Sequence, residues 1–168
     1  MLSVISLTDL AAPLATGTCV VRGKQVPIRV LSSRESTFIR DELLGRPIPP
    51  VDSSGESKTE DPTFVKNWTE FTRQAALLDL AAAIGWKTAG GWTFRLPAGA
   101  SRHGDRVTWA ALVDEGCRWR KETLEEWGEH MSDTDLAAIR DAYFKLARTD
   151  VVAAAVGNSS EETTPPAS

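Results

Sequence analysis

The sequence predicts an α+β fold, mainly α, with an N-terminal β-hairpin followed by a small bundle of about four helices. Three observations carry this. Two β-branched runs flank Arg22-Gly23-Lys24-Gln25, helix-capping residues stand at Ser32, Asp61 and Ser132, and apolar residues recur at helical spacing from Phe64 onward.

The hairpin spans Gly17 to Leu31, and Val26, Ile28 and Val30 share one face. Pro27 lacks an amide hydrogen, so the second strand belongs at an edge or pairs on its other side alone. Two strands are marginal by themselves in water. The hairpin must pack on a helix, or another chain must complete its edge.

Ser32 with Glu35 forms a capping-box pattern opening a short helix that ends at Leu44, before Gly45. Arg46 to Asp61 is rich in proline, serine and acidic residues and reads as a flexible linker. Asp61-Pro62 then starts a helix expected to reach Ile84 and stop at Gly85. On it Phe64, Trp68, Phe71, Ala75 and Leu78 form one stripe, and Ala75 to Ile84 is apolar almost all round, interrupted by Asp79. That second half must be buried on two sides.

Gly85 to Gly104 is too rich in glycine for a helix, and Trp92-Thr93-Phe94 is expected to make a brief strand. Helix resumes near Val107, with Trp109, Leu112, Val113, Gly116 and Trp119 on one face and Trp127 continuing it. Gly116 either admits another helix closely or marks a break. Ser132 with Asp135 caps a last helix carrying Leu136, Ile139, Tyr143, Leu146 and Ala147, expected to extend to Val156 before Gly157. The organisation is thus hairpin and short helix over 1–45, linker over 46–61, helical domain over 62–156 and disordered tail over 157–168.

With 168 residues and 42% hydrophobic content the chain can bury one real core. Nineteen basic against 23 acidic residues give a net charge of −4, which offers no global attraction to nucleic acid or to an anionic membrane. Met1 to Ala15 lacks a basic start and carries Asp9, against a secretory signal, and no apolar run approaches the roughly 20 residues of a membrane span. The protein is expected in the cytoplasm. Cys19 and Cys117 read as two small buried thiols better than as a disulfide.

No assembled catalytic group is expected. Ser101, His103 and Asp105 hold the letters of a hydrolase triad, but residues two apart in a loop do not converge. Glu126 and His130 have the spacing of a helix-borne metal pair, yet a plain helix end fits them better, with Asp133 and Asp135 belonging to the next cap. Glu122, Glu125, Glu126 and Glu129 read as a solvated helix face. No phosphate-cradling glycine loop precedes a Lys-Ser or Lys-Thr pair. The expectation is a binding protein with no enzyme activity, cofactor or metal. Lys87, Arg95, Arg102 and Arg106, with Arg118, Arg120 and Lys121, are better suited to docking on an acidic surface, of this fold or of a protein partner, than to gripping phosphates.

Six tryptophans and five phenylalanines against one tyrosine make aromatic area the main resource for binding. Phe64, Trp68 and Phe71, and separately Trp109, Trp119 and Trp127, are most simply core seams of a helical bundle. If these faces exceed what one core needs, the surplus forms a groove for an apolar partner helix. These six residues are the candidate partner-binding set.

The layout, with the string Val20-Val21-Arg22-Gly23-Lys24-Gln25-Val26-Pro27-Ile28-Arg29-Val30-Leu31-Ser32, a capped helix with Glu35, a helical body and a polar tail, resembles the tail assembly chaperones of long-tailed bacteriophages over residues 15 to 156. That family has no invariant short motif, so no residue role transfers by position. The resemblance implies a non-structural viral protein of the host cytoplasm that coats the helical, apolar tape measure protein and recruits tail tube subunits. It also implies a longer form made by frameshifting near Asn158. Self-association is a further option, and the alternative reading is a head-tail adaptor or other virion structural protein. The Gly85 to Gly104 segment has no match in the family.

Overall fold

The hairpin turn is tight and strained. In the computed structural model, which describes the backbone of residues 14–159 and the side chains of 14–148, strands β1 (Thr16–Val21) and β2 (Lys24–Arg29) pair antiparallel with Val21 opposite Lys24. Only Arg22 and Gly23 lie between them, at φ 51° and 75°. Positive φ at both central residues gives the twist a two-residue hairpin needs. Glycine takes that conformation freely, whereas arginine pays about 1–2 kcal/mol for it.

Contacts across the molecule offset that strain. The Arg22 guanidinium donates to Asp135 Oδ2 from Nε at 3.0 Å and from Nη2 at 2.7 Å, and to the carbonyl oxygen of His130. The hairpin tip is thereby tied both to the last exposed carbonyl of α3 (Arg106–His130) and to the cap of α4 (Asp133–Ser159). From that tie β1 runs back along α4, and Gly17 at its far end lies where an added Cβ would sit 3.0 Å from Leu146. Five strand steps of about 3.3 Å and eleven helix steps of about 1.5 Å both cover roughly 16 Å, so strand and helix stay in register. The inner face presents Cys19 and Ile28, both buried, with Val21 and Val26 beside them. Of the two arrangements open to the hairpin, packing on a helix is the one adopted.

The capping box at Ser32 forms as expected. Glu35 N–H donates to Ser32 Oγ at 3.2 Å, Ser32 N–H donates to Glu35 Oε2 at 2.9 Å, and Arg29 grips the same carboxylate through two nitrogens at 3.0 and 2.8 Å. Burial pushes the Glu35 carboxyl up, but these hydrogen bonds outweigh it and hold it below its ordinary value. The helix reaches Leu44 as predicted, but its second half is wider. α1 covers Ser33–Phe38, and Ile39–Leu44 continues it as a π-helix. Long-range contacts hold this wider turn. Leu43 enters the space left by Gly116, where an added Cβ would lie 2.6 Å from a Leu43 methyl, while Arg120 donates to the Leu43 carbonyl and Arg40 pairs with Asp79 at 2.6 Å.

The expected linker contains a small closed turn. Val51 bridges Ser57, and Asp52 Oδ1 accepts from Ser54 N–H at 2.8 Å and Glu56 N–H at 3.0 Å. α2 (Pro62–Ala83) then starts where Asp61 accepts from the amides of Thr63 and Phe64, both at 3.0 Å, and ends one residue short of the predicted Ile84, which caps it before Gly85 at φ 65°. Its second half enters the core through Leu78, Ala81, Ala82 and Ala83.

α3 starts at its Asp105 cap and stays unbroken through Gly116. Leu112, Gly116, Trp119, Thr123 and Trp127 form its buried face. The predicted strand over Trp92–Phe94 reduces to a single bridge, Lys87 to Thr93, because the glycines and Pro97 around it leave too short an extended run. α4 begins with the Ser132–Asp135 box, Asp135 N–H donating to Ser132 Oγ at 3.2 Å. It continues to Ser159, past the stop predicted at Gly157, since glycine costs a helix only about 1 kcal/mol unless the chain turns left-handed there. The predicted disordered tail is therefore helical over 157–159, and the rest of it, 160–168, lies outside the described residues. One core joins Cys19 and Ile28 of the hairpin, Phe38, Ile39 and Leu43, and the inner faces of α2, α3 and α4, so the hairpin and first helix share a single interior with the helices that follow the linker.

The latch at Asp135 sets a pH dependence. Hydrogen bonding from Arg22, with help from Ser132, holds its carboxyl down to about 2 against an ordinary 3.8. A depressed folded value means the ionised carboxylate favours folding: the contribution is complete above about pH 4 and disappears as pH falls through 2. In urea titrations across pH, Asp135→Asn should be less stable than the wild type at pH 6, and the gap should close toward pH 2. A gap independent of pH would show that the charge at Asp135 does no stabilising work.

Candidate functional site

The six aromatic candidates separate by depth. Trp119 and Trp127 are 0% and 2% exposed and lie in the core, so neither offers a surface to a partner while the fold is intact. Trp109 is half-buried, edge-on to Phe38 with ring centroids 5.1 Å apart. Phe71 is buried, Phe64 half-buried, and Trp68 remains 39% exposed with Val65 beside it at 47%.

These last residues form a continuous aromatic row on the first half of α2. Phe64 and Trp68 have ring centroids 5.9 Å apart, and Trp68 and Phe71 5.5 Å. The row precedes the part of α2 that joins the main core cluster, with Phe71 buried and Trp68 left at the surface. A helix of 22 residues is about 33 Å long, yet its members of the core cluster begin at Leu77. At about 100° per residue, Val65, Trp68, Thr69 and Thr72 share an uncharged sector next to Phe64 and Phe71, while Lys66, Glu70 and Arg73 point to the other side. The charged side is partly self-paired: Arg73 donates to Glu70 at 2.9 and 2.7 Å, Gln74 donates to the same carboxylate at 2.7 Å, and the Arg73 contact leads in holding Glu70 down to about 2. What faces outward on the other side is an uncharged strip at i, i+3, i+4 and i+7, two apolar side chains and two threonines whose hydroxyls donate to the helix's own carbonyls, a spacing that suits a partner helix.

The acidic face of α3 differs from the sequence expectation. Glu125 and Glu129 are solvated as predicted, but Glu122 and Glu126 are half-buried and accept hydrogen bonds from the glycine-rich segment. That segment does dock on the acidic surface of its own fold, as one sequence reading proposed, although through backbone and indole N–H groups. The basic residues of the segment and of α3 do not form one patch: Arg118 of α3 pairs with Asp114 at 2.9 Å and lies over Trp92 at 5.1 Å, Arg102 of the segment approaches Glu42 at 3.8 Å, and Arg120 of α3 caps the π-helical turn.

The other chemistry-bearing letters have structural duties. Ser101 Oγ accepts from His103 N–H at 3.2 Å, and Asp105 accepts from Val107 N–H at 3.1 Å and Thr108 N–H at 3.3 Å, which closes a turn and caps α3. Glu126 is directed to Trp86 and Ala89, and His130 is exposed beside Glu129 at 3.7 Å. Among the described residues no group of three or more His, Cys, Asp or Glu side chains is placed to hold a metal ion, and no helix is long and apolar enough to cross a membrane. Cys19 and Cys117 are both free thiols, and burial pushes the Cys19 thiol above its ordinary value. Sequence periodicity identified the Phe64–Trp68–Phe71 stripe but not its depth, and it missed the anchoring role of Glu122 and Glu126 because their contacts reach 32 to 40 residues along the chain.

Comparisons with protein-family models, with curated proteins and with solved structures found no match for this chain.

Trp68→Phe should remove most of the protein's acrylamide-quenchable tryptophan fluorescence, at a stability cost below about 1.5 kcal/mol, as a replacement on a half-open site should. Trp119→Ala should cost about 3–5 kcal/mol by emptying the core. Equal losses of stability for the two variants would place Trp68 in the load-carrying interior instead.

Proposed function

We propose that the chain is a non-catalytic protein-binding protein whose outboard half of α2 receives an apolar helix from its partner. The observation that carries this is the uncharged strip of Val65, Trp68, Thr69 and Thr72 beside the tilted rings of Phe64 and Phe71, on the half of α2 that precedes its contacts with the main core cluster. Tryptophan supplies much contact area at a small ordering cost, which suits an anchor for a partner's side chains. A net charge of −4 keeps a carrier of such a face soluble.

Within that class the specific reading is a tail assembly chaperone of a long-tailed bacteriophage, acting in the host cytoplasm. Its support is the resemblance of the layout and of the Val20 to Ser32 string, together with the fit between a spare apolar face and an apolar helical client. The strip on α2 would cover part of the tape measure protein, and tail tube subunits would be recruited to the coated complex. A head-tail adaptor is the competing reading.

Co-expression with the tape measure protein encoded in the same genome tests the proposal. The soluble fraction of the client should rise several-fold, and Val65→Ser with Trp68→Ser should abolish the rise while circular dichroism and the unfolding midpoint of the chaperone stay close to the wild type. No rise with the wild-type chain contradicts the chaperone reading, and recovery of the chain in stoichiometric amounts from purified particles favours the adaptor.

A further inference from the structure

The stretch that leads from the π-helical turn into the closed turn is stiff and exposed. Pro47, Pro49 and Pro50 fix their own φ at about −65°, and a residue before proline is driven to extended or polyproline backbone, which covers Arg46, Ile48 and Pro49. Residues 45–50 accordingly belong to neither helix nor strand. Both ends are anchored. Arg46 pairs with Asp41 at 3.0 Å on one side, and on the other Lys58 N–H donates to the Pro50 carbonyl at 2.7 Å and Val51 bridges Ser57. A polyproline helix repeats every three residues, so Ile48 and Val51 share one edge. They are 86% and 61% exposed, and Ile48 is the most exposed large apolar side chain among the described residues.

The chemistry of such a segment is one-sided. From Pro47 to Pro50 only Ile48 has an N–H, whereas the carbonyls of Pro47, Ile48 and Pro49 accept no hydrogen bond among the described residues. A surface that receives it must supply flat apolar area together with hydrogen-bond donors, and tryptophan provides both. The row on α2 meets that requirement. Trp68 stands at the surface with Phe64 and Phe71 beside it, and its Nε1 has no acceptor among the described residues. The borders are of opposite sign: Glu56 and Glu60 follow the segment, Lys66 borders the strip, and all three are exposed without an ion-pair partner among the described residues. Segment and row are both open in one copy, so neither covers the other within it.

We propose that segment 47–51 of one copy docks on the Phe64–Trp68–Phe71 row of a second copy, with Ile48 and Val51 on the rings and the Trp68 indole N–H donating to a carbonyl of the segment. In a twofold pair the contact forms twice, once in each direction. A segment already held straight by prolines loses little freedom on docking. The second copy covers the docking face of α2 until a client helix displaces it, an inference that rests on that reading of α2.

Sedimentation equilibrium of the full chain without a client tests the pairing, so it can fail while the client reading stands. The average mass should rise from one copy toward two between micromolar and submillimolar concentrations. Ile48→Ser with Val51→Ser, and separately Trp68→Ser, should each weaken association by at least about tenfold, with circular dichroism unchanged. In an equimolar mixture of these two variants, the intact segment of one meets the intact row of the other, and association should exceed that of either variant alone. A wild type that stays monomeric, a dimer indifferent to both sets of substitutions, or no gain on mixing would overturn the proposal. Should Trp68→Ser not fold, Val65→Asp takes its place in the same mixture, since Val65 is an exposed neighbour on the strip.

Discussion

The fold depends on how closely the π-helical turn approaches α3 at Gly116. With no Cβ there, Leu43 reaches the helix surface and packs where a larger residue would stand, and its own carbonyl is taken by Arg120 one turn further along α3. This contact brings the first helix near enough for Phe38 to meet both Trp109 and Phe94, which in turn covers Trp119. A side chain at position 116 would meet the Leu43 methyls, so Leu43 would have to shift from the place it fills against α3. The glycine-rich segment and the inner half of α2 pack on the face of α3 so defined, and the hairpin joins the same core from its place on α4.

Local signals were legible in the sequence and distant ones were not. The capping pairs at Ser32 and Ser132 and the Asp61-Pro62 start act within a few residues, so the sequence contains their whole cause, whereas the turn placed over Arg22–Gln25 narrows to Arg22-Gly23, where contacts to Asp135 and His130 hold Arg22. The two options at Gly116 could not be separated, because choosing between them requires knowing that Leu43 arrives there. The same reasoning explains the π-helical turn, which has no local motif and is held by Arg40–Asp79 and Arg120–Leu43 contacts spanning 39 and 77 residues. Trp68 and Trp119 have similar surroundings in the sequence, both on amphipathic stripes. Only the position of Trp68 on the half of α2 that precedes the core separates an exposed indole from a buried one.

Charge is used economically throughout the molecule. Arg22, Arg29 and Arg40 each fasten one element to another through a carboxylate, and Glu122 and Glu126 fasten the glycine-rich segment. The Arg40–Asp79 pair carries a desolvation cost: burial pushes the Asp79 carboxyl up, and the Arg40 charge only partly reverses this. Its role is positional, aligning the π-helical turn with α2. Pairing on the far side of α2 leaves Trp68 and Val65 on an uncharged strip, and that separation of faces makes the strip suited to an apolar helix.

The most direct test of the close approach is a double-mutant cycle at positions 116 and 43, read by chemical denaturation. Gly116→Val should destabilise by about 2 kcal/mol or more through overpacking, and Leu43→Ala by about 2–5 kcal/mol through the cavity it leaves. If Leu43 fills the space that Gly116 vacates, the valine should occupy part of that cavity, and the double variant should lose at least 1 kcal/mol less than the sum of the single losses. Strictly additive losses would mean that the two positions do not meet, and the packing of the first helix on α3 would need another cause.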